Sequence, residues 1–284
     1  EGQSTEIGEL IQTQDNGILI TGKIQGTYGF TVKYNQNLEI EWKLWLGDSN
    51  NNIIRAALET SDGSILIGGY FESADIDLGN GVSLKKNNYQ RNAMLIKYNN
   101  KGEIQWARST NDTFDEFRQI IETSDGKYMA IGQVWKWTTD REGLIIEYDT
   151  EGNIETKKEI LKGIGTVVET DNGYYLSMGE PRYGGEIVLK DGTGDNYNSY
   201  TDIMIKFKLT NVENSTIKDI QKLGGNTFTR KLLNTKDGGY VSAGEVTGSS
   251  NGQKDVIVIK YNSNGNIQWV RTIGTSGDEI LGTA

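Results

Sequence analysis

A ten-residue segment occurs three times in this chain, and it limits the possible folds more strongly than any other feature. The copies begin at Lys33, Lys97 and Lys260, and each contains Lys-Tyr-Asn, an isoleucine and a final tryptophan at identical spacing. Two of the three carry a glycine at the sixth position. Because sequence repeated at a regular period specifies repeated structure, the chain is predicted to be an array of similar units.

A second pattern defines five units. It consists of Thr-x-Asp or Thr-x-Asn, with a glycine seven residues after the acidic or amide position. The threonines are Thr13, Thr60, Thr123, Thr170 and Thr235, and the glycines are Gly22, Gly69, Gly132, Gly179 and Gly244. Successive threonines lie about 45 to 65 residues apart, a length that suits a propeller blade of four short strands with variable loops.

Each unit contains four predicted strands, here called A to D. Strand A is apolar and alternating, the Thr-x-Asp turn follows, strand B ends at the glycine, and strand C is apolar on both faces, as in 256–261. Asp-Gly and Asn-Gly tolerate positive φ and therefore favour tight hairpin turns between A and B. The glycine that ends strand B is predicted to allow close backbone approach where blades converge.

The repeat predicts an all-β protein, a single β-propeller domain with five four-stranded blades. The expected blades span approximately residues 6–46, 53–109, 115–161, 164–222 and 227–273. Residues 277–284 match another strand A, because Asp278-Glu279 aligns with Asp115-Glu116. This surplus strand is expected to close the ring or to lead to a further repeat. A fragment of a propeller with six or more blades is the alternative.

Composition excludes several kinds of site and partner. The formal net charge of −10 disfavours nucleic acid and an anionic membrane surface as partners, because both select a basic face. The chain has no cysteine and no histidine, which excludes disulfides, thiolate nucleophiles, imidazole metal ligands and Ser-His-Asp catalysis. No apolar run approaches the length of a membrane span. A chain that begins at Glu1 without an apolar leader is expected to be a processed form or an excised piece.

In the repeat, strand C is followed by Lys-Tyr-Asn-x-x-Gly-x-Ile-x-Trp and then by a Gly/Asp-rich link. This order resembles the β-propeller repeat family of bacterial cell-surface proteins (SBBP type). Residues 69–79 and 92–98 carry the best single match. The resemblance implies a propeller in an exported bacterial protein, located outside the cell or on its surface. It implies no particular activity, since a fold does not specify a function. The Gly-to-Trp spacing is also similar to the tryptophan-docking motif of quinoprotein propellers, although the Asp and Thr of that motif are not in register.

The predicted topology places the B–C loops and the D–A links on one face and the short A–B and C–D turns on the other. Length varies mainly in the B–C loops, through insertions at 72–91 and 180–201 and a Trp-Lys-Trp segment within 135–141. Variable loops held on a rigid scaffold commonly carry recognition. A ligand is therefore predicted on the B–C loop face.

The tryptophans fall into two groups. Trp42, Trp106 and Trp269 follow the repeat and are predicted to pack between blades. Trp135 and Trp137 are off register, and residues two apart face the same side of an extended segment, so they are predicted to contact a sugar ring or a peptide. Packing of the blade rims is the alternative. The full set of predicted ligand-binding residues is Trp135, Trp137, Tyr89, Tyr183, Tyr197, Tyr200 and Trp45.

One loop with oxygen-bearing side chains and glycines is a candidate calcium site. Its residues Asp191, Asp195, Asn196 and Asn198 have a spacing that Ca²⁺ can use, but the glutamate at the twelfth position of an EF-hand is missing. A solvated loop is the alternative. No other cofactor is predicted.

Other charged residues recur with the repeat. Acidic residues at the D–A links are predicted to cap the links rather than to catalyse, and they are Asp112, Asp115, Glu116, Asp278 and Glu279. Arg55, Arg118 and Arg230 occupy equivalent positions in strand A. A sialidase-like enzyme would need such a trio together with a tyrosine nucleophile, yet equivalence within the repeat explains the arginines equally well.

The function that follows is a non-catalytic binding or adhesion module of an exported bacterial surface protein, expected to be a monomer. Its expected partners are a glycan or an extracellular protein ligand, and neighbouring domains of a larger surface protein. A structural spacer and a glycan-active hydrolase of propeller fold are the alternatives.

Overall fold

The structure, a computed structural model, consists of β-strands and connecting turns throughout the residues that it describes. These are residues 5–24, 28–47, 51–86, 91–110, 115–135, 141–160, 166–170, 175–179, 185–188, 194–197, 201–208, 216–225, 227–247, 254–275 and 277–279. Within this part of the chain no helix has the length and apolar character needed to cross a bilayer. The chain forms two compact units, one of residues 1–139 with 144–159 and the other of residues 140–143 with 160–282.

The first unit contains three four-stranded antiparallel sheets, each a meander in chain order. Sheet 1 is β1 (Thr5–Gln12), β2 (Ile18–Ile24), β3 (Tyr28–Tyr34) and β4 (Ile40–Leu46). Sheet 2 is β5 (Ile53–Glu59), β6 (Ile65–Phe71), β9 (Asn92–Tyr98) and β10 (Ile104–Ser109), with the hairpin β7 (Asp75–Gly79) and β8 (Val82–Lys85) inserted between its second and third strands. Sheet 3 is β11 (Asp115–Glu122), β12 (Tyr128–Trp135), β13 (Arg141–Tyr148) and β14 (Ile154–Ile160).

The second unit contains two more sheets of the same kind. Sheet 4 is β15 (Thr166–Glu169), β16 (Tyr175–Gly179), β19 (Thr201–Lys208) and β20 (Thr216–Gly225), with the inserted hairpin β17 (Gly185–Val188) and β18 (Gly194–Tyr197). Sheet 5 is β21 (Thr227–Asn234), β22 (Tyr240–Thr247), β23 (Lys254–Tyr261) and β24 (Ile267–Ile273). The predicted order of strands A to D is confirmed in every sheet, and both long insertions between B and C contain a hairpin.

The repeated Thr-x-Asp pattern builds the turn between strands A and B. The hydroxyl of Thr13 donates to Asp15 Oδ1 at 2.6 Å, and the backbone N–H of Gly17 donates to the same carboxylate oxygen at 2.9 Å. Asn16, at the tip, has φ of 63°, a left-handed conformation that asparagine tolerates. The threonine and aspartate are therefore retained because together they satisfy the polar groups of a tight turn.

The glycine that ends strand B is required by a β-bulge in strand A of the same sheet. In sheet 3 the pairing of β11 with β12 shifts between Phe117 and Gln119, so that Arg118 is the bulged residue. A Cβ built at Gly132, on the facing strand, would overlap the carbonyl oxygen of Glu116. The prediction placed this close approach between blades. The structure places it within sheets 1, 2, 3 and 5, because the bulge pushes the strand A carbonyl toward strand B.

Two repeat tryptophans pack between neighbouring sheets of the first unit, as predicted. The indole N–H of Trp42 donates to the carbonyl of Asn100 at 3.1 Å, and that of Trp106 donates to the carbonyl of Thr150 at 3.0 Å. Each ring lies on the glycine of the receiving C–D turn, where an added Cβ would come within 2.9 Å of the ring. The Gly-to-Trp spacing therefore serves docking from one sheet to the next.

The apolar core lies between sheets. One cluster joins residues of sheets 1 and 2, such as Leu19 and Ile96, and a second joins sheets 2 and 3, such as Leu66 and Ile146. In the second unit a third cluster joins sheets 4 and 5, including Val168 and Tyr261. Strands β6 and β9 are buried at every residue, which explains the apolar runs 65–67 and 93–96 within them.

Candidate functional site

The predicted aromatic and calcium residues are only partly within the described structure. Trp137, Tyr89, Tyr183, Tyr200, Asp191 and Asn198 lie outside the described residues. Tyr197, Asp195 and Asn196 belong to β18, which pairs with β17 in a hairpin. Among the described residues no group of three or more acidic side chains is arranged to hold a metal ion.

Two predicted aromatic residues have a defined place. Trp45 lies on β4, is 53% exposed, and has its ring 6.3 Å from that of Phe30. Trp135 is the last residue of β12. Gln133, two residues before it, pairs with Glu116 on β11. Trp135 therefore lies at the end of sheet 3 where β11 begins and β12 ends.

A concentration of charge lies at this same end of the sheets in the first unit. We call it the charged cluster, and it consists of Glu6, Lys23, Arg55, Arg91, Glu116 and Arg118. Its members come from the starts of β1, β5 and β11, from the end of β2, and from the residue that precedes β9. These are the strand ends from which the B–C loops and D–A links leave, so the cluster lies on the face predicted to bind a ligand.

Glu116 is the centre of the cluster. Its side chain is 9% exposed and contacts three arginines. Arg91 Nη1 lies 3.5 Å and Arg55 Nε 3.8 Å from Glu116 Oε2, and Arg118 binds Glu116 Oε1. A buried carboxylate needs such partners, because desolvation without them would be costly.

The backbone explains why arginines of strand A reach this carboxylate. Arg55 and Arg118 are the bulged residues of β5 and β11, where the register shifts by one residue. A bulge redirects the side chain of the extra residue. The sequence prediction recognised that Arg55, Arg118 and Arg230 are equivalent, and the structure brings the first two together with Arg91. Arg230 lies in the second unit, where it binds the fully buried Glu245 at 3.1 Å.

The cluster continues from Arg55 toward sheet 1. Arg55 Nη1 also contacts Glu6 Oε1 at 2.9 Å, and Lys23 Nζ lies 3.5 Å from the other carboxylate oxygen of Glu6. Lys23 and Arg91 were missed by the sequence analysis. Lys23 directly follows the glycine that ends strand B, and Arg91 directly precedes strand C, so their place in the repeat was a usable signal.

An aromatic ring borders the cations. The guanidinium carbon of Arg91 lies 4.5 Å from the centroid of the Tyr70 ring, a cation–π distance. The hydroxyl of Tyr70 accepts a hydrogen bond of 2.8 Å from the side-chain amide of Asn51. These contacts hold Arg91 in place while its side chain remains 21% exposed.

The charged cluster has more cations than anions. Lys23, Arg55, Arg91 and Arg118 carry four positive charges, and Glu6 and Glu116 carry two negative ones. Arginine presents a planar set of donors that matches carboxylate and sulfate groups. On a chain with a net charge of −10, this arrangement can bind an anionic group.

A second pattern of charges, at the opposite end of the sheets, has a structural role. Lys33 Nζ, with a side chain only 4% exposed, contacts Asp15 at 2.7 Å and Glu41 at 2.9 Å. The hydrogen bond from Lys33 is the main cause that lowers the pKa of Asp15 to about 2. Burial by itself would lower the pKa of Lys33, but the hydrogen bonds to Asp15 and Glu41 outweigh burial and raise it.

Sheet 3 shows that this lysine serves charge balance rather than ligand binding. Glu147 stands where the other strands C carry lysine, and the cation comes instead from Lys127 in the A–B turn. Lys127 Nζ lies 3.3 Å from Asp125, 3.4 Å from Glu147 and 2.7 Å from Glu155. In sheet 3 the cation therefore lies in the A–B turn and an anion lies in strand C, and the ion pair between these two positions is kept.

The sheets define an all-β protein with a propeller-like fold. Protein-family models gave no match to the chain, and a search of curated proteins gave none either. Solved structures do match the fold. A protein of unknown function from Bacteroides caccae aligns with a TM-score of 0.58 and 14% identity, covering 98% of this chain and 85% of that chain.

Two further solved structures agree with this fold. A protein of unknown function from Dyadobacter fermentans gives a TM-score of 0.53 at 11% identity, with 97% of this chain and 85% of that chain covered. A subtype N11 neuraminidase-like protein of A/flat-faced bat/Peru gives 0.52 at 12% identity, with 89% of this chain and 71% of that chain covered. At such low identity these similarities bear on the fold alone.

Proposed function

We propose that this chain is a non-catalytic binding module of an exported bacterial surface protein, built as a five-bladed propeller, and that it binds an acidic glycan through the charged cluster. The observation that carries the proposal is the surplus of cations around Glu116 and Glu6 on a strongly acidic chain. Among the six described residues of the cluster, four cations face two carboxylates, and these cations are the groups proposed to contact the ligand.

A glycan with carboxylate or sulfate groups suits the surroundings of the cations. Arg91 is stacked on Tyr70, which fixes its guanidinium and lowers the entropy lost on binding an oxyanion. Trp135 is the last residue of β12, at the end of sheet 3 where β11 begins, and aromatic residues of this type stack on sugar rings. Charge and aromatic surface on one face favour an acidic glycan over a neutral one.

A matched pair of polymers tests the proposal. Dextran and carboxymethyl-dextran share a backbone and differ in charge, so we expect titration calorimetry at pH 7 to detect binding of the second polymer and not of the first. Arg91→Ala removes one charge-assisted contact and is expected to weaken binding about tenfold or more. Trp135→Ala is expected to weaken it as well if the aromatic surface contributes.

The control is Lys101→Ala, which removes one positive charge from an exposed C–D turn, away from the cluster. Equal losses in the Arg91 and Lys101 variants would show that binding follows total charge and not this site. Absence of binding to the charged polymer would overturn the choice of an acidic glycan. Release of new reducing ends from either polymer would overturn the non-catalytic assignment.

A further inference from the structure

The part of the chain that the structure describes contains the dipeptide Asn-Gly in three tight turns. They are Asn16-Gly17 between β1 and β2, Asn80-Gly81 between β7 and β8, and Asn264-Gly265 between β23 and β24. An asparagine side chain is readily attacked by the backbone nitrogen of a following glycine, because glycine has no side chain to block the approach. The three turns differ in what this nitrogen contacts.

In two of the turns the glycine N–H is held in a hydrogen bond. That of Gly17 donates to Asp15 Oδ1 at 2.9 Å, and that of Gly265 donates to the carbonyl of Asn262 at 3.0 Å. An amide nitrogen attacks a carbonyl carbon only after it has lost its proton, and a hydrogen bond that holds this proton must first be broken. These two bonds therefore oppose the attack.

The N–H of Gly81 has no such partner among the described residues. Gly81 is exposed, a Cβ added to it would meet nothing within 4 Å, and Asn80 beside it is exposed as well. Backbone conformation does not distinguish this turn from the first one, because Asn80 and Asn16 are both left-handed, with φ of 51° and 63°. The hydrogen bond to the glycine nitrogen is thus the difference between the two turns that bears on the attack.

We propose that Asn80 is a site of spontaneous modification, at which its side-chain amide is converted to a carboxylate. Hydroxide removes the proton from the nitrogen of Gly81, and this nitrogen then bonds to Cγ of Asn80. The bond from Cγ to the side-chain nitrogen breaks, and the side-chain nitrogen takes a proton from water and leaves as ammonia. Water opens the resulting cyclic imide at either carbonyl, which yields aspartate or isoaspartate.

The modification adds a negative charge at the tip of the hairpin inserted in sheet 2. Ile76 and Leu84, which pair across this hairpin, are 5% and 2% exposed and pack in the core cluster shared by sheets 1 and 2. Because these side chains anchor the hairpin and the reacting residues lie in its exposed turn, we expect the product to stay folded. The hairpin belongs to a B–C insertion, so the charge of this loop changes with time, whether or not the protein binds an acidic glycan.

Peptide mapping by mass spectrometry measures the conversion of each asparagine, because the amide and the acid differ in mass. In native protein held at mildly alkaline pH, we expect Asn80 to convert about fivefold or more faster than Asn16 and Asn264, since a hydrogen bond must be broken at the other two sites. In concentrated urea the three rates should become similar, because all three sequences are Asn-Gly.

Asp15→Ala and Asp15→Asn form a matched pair that tests the physical reason. Both remove the negative charge that pairs with Lys33, but the asparagine keeps an oxygen that can accept from the N–H of Gly17. We expect faster conversion of Asn16 in Asp15→Ala and little change in Asp15→Asn. A native Asn80 that converts no faster than Asn16 would overturn the proposal, and equal rates at Asn16 in the two variants would overturn the hydrogen-bond argument for it.

Discussion

Replacing Gly152 by alanine tests the docking of one sheet on the next, because a second glycine of the same sheet provides a matched control. Gly152 and Gly126 both lie in turns of sheet 3, with φ of 80° and 83°. A Cβ at Gly126 meets nothing within 4 Å, whereas a Cβ at Gly152 comes within 2.9 Å of the Trp106 ring. The two substitutions therefore share the backbone cost and differ only in the effect on the tryptophan.

The expected difference in the free energy of unfolding follows from the exposure of the tryptophan side chain in its two observed environments. The left-handed conformation costs an alanine about 1–2 kcal/mol at either position. A displaced Trp106 would pass from 9% exposed toward about 40%, the exposure of Trp269 at the same repeat position. For a side chain of about 250 Å² this exposes about 80 Å², at a cost of about 2 kcal/mol. Loss of the hydrogen bond to Thr150 adds about 1 kcal/mol.

We therefore expect Gly152→Ala to lower the free energy of unfolding by about 3 kcal/mol more than Gly126→Ala, measured by urea denaturation followed by circular dichroism. In a Trp106→Ala background the two glycine substitutions should cost the same, because the ring that the Cβ displaces is absent. Equal costs in the wild-type background would refute the docking explanation for the repeated spacing of glycine and tryptophan.

Two further outcomes test other parts of the fold. The folded-state pKa of Asp15 is lowered to about 2, chiefly by the hydrogen bond from Lys33, so the carboxylate stabilises the fold above about pH 4 and that stabilisation is lost as the pH falls through 2. Since the Asp15 side chain is 55% exposed and solvent screens its ion pair, we expect the free energy of unfolding to fall by only about 1 kcal/mol. Measuring this free energy as a function of acid pH should show the loss in the wild type and not in Asp15→Asn. Gly132→Ala places a methyl group against the carbonyl of Glu116, and we expect a cost of about 3 kcal/mol or more. A cost no larger than that of Gly126→Ala, measured by the same urea denaturation, would contradict the bulge explanation.

Several features of the fold follow from the sequence because they depend on neighbours in the chain. The turn between strands A and B is readable from Thr13 and Asp15, since a hydroxyl and a carboxylate two residues apart can close it without help from distant residues. Strand order A to D follows for the same reason, because short turns join antiparallel neighbours. Strand C is recognisable in β9 because burial on both faces favours a continuous apolar run, here residues 93–96.

The candidate site needed the tertiary structure, because its members are brought together by contacts between sheets. Arg55 and Glu116 are separated by a whole repeat in the sequence. Their contact depends on β-bulges in β5 and β11, and the local sequence does not predict these bulges. The sequence analysis wrongly assigned Gly132 to contacts between blades for the same reason, since a glycine indicates that another backbone is close but not which one. Trp106 and Trp269 have the same sequence surroundings and differ in burial, because burial depends on what stands opposite the ring. The repeat by itself determined the sheets and their turns, and tertiary packing alone decided which charges meet.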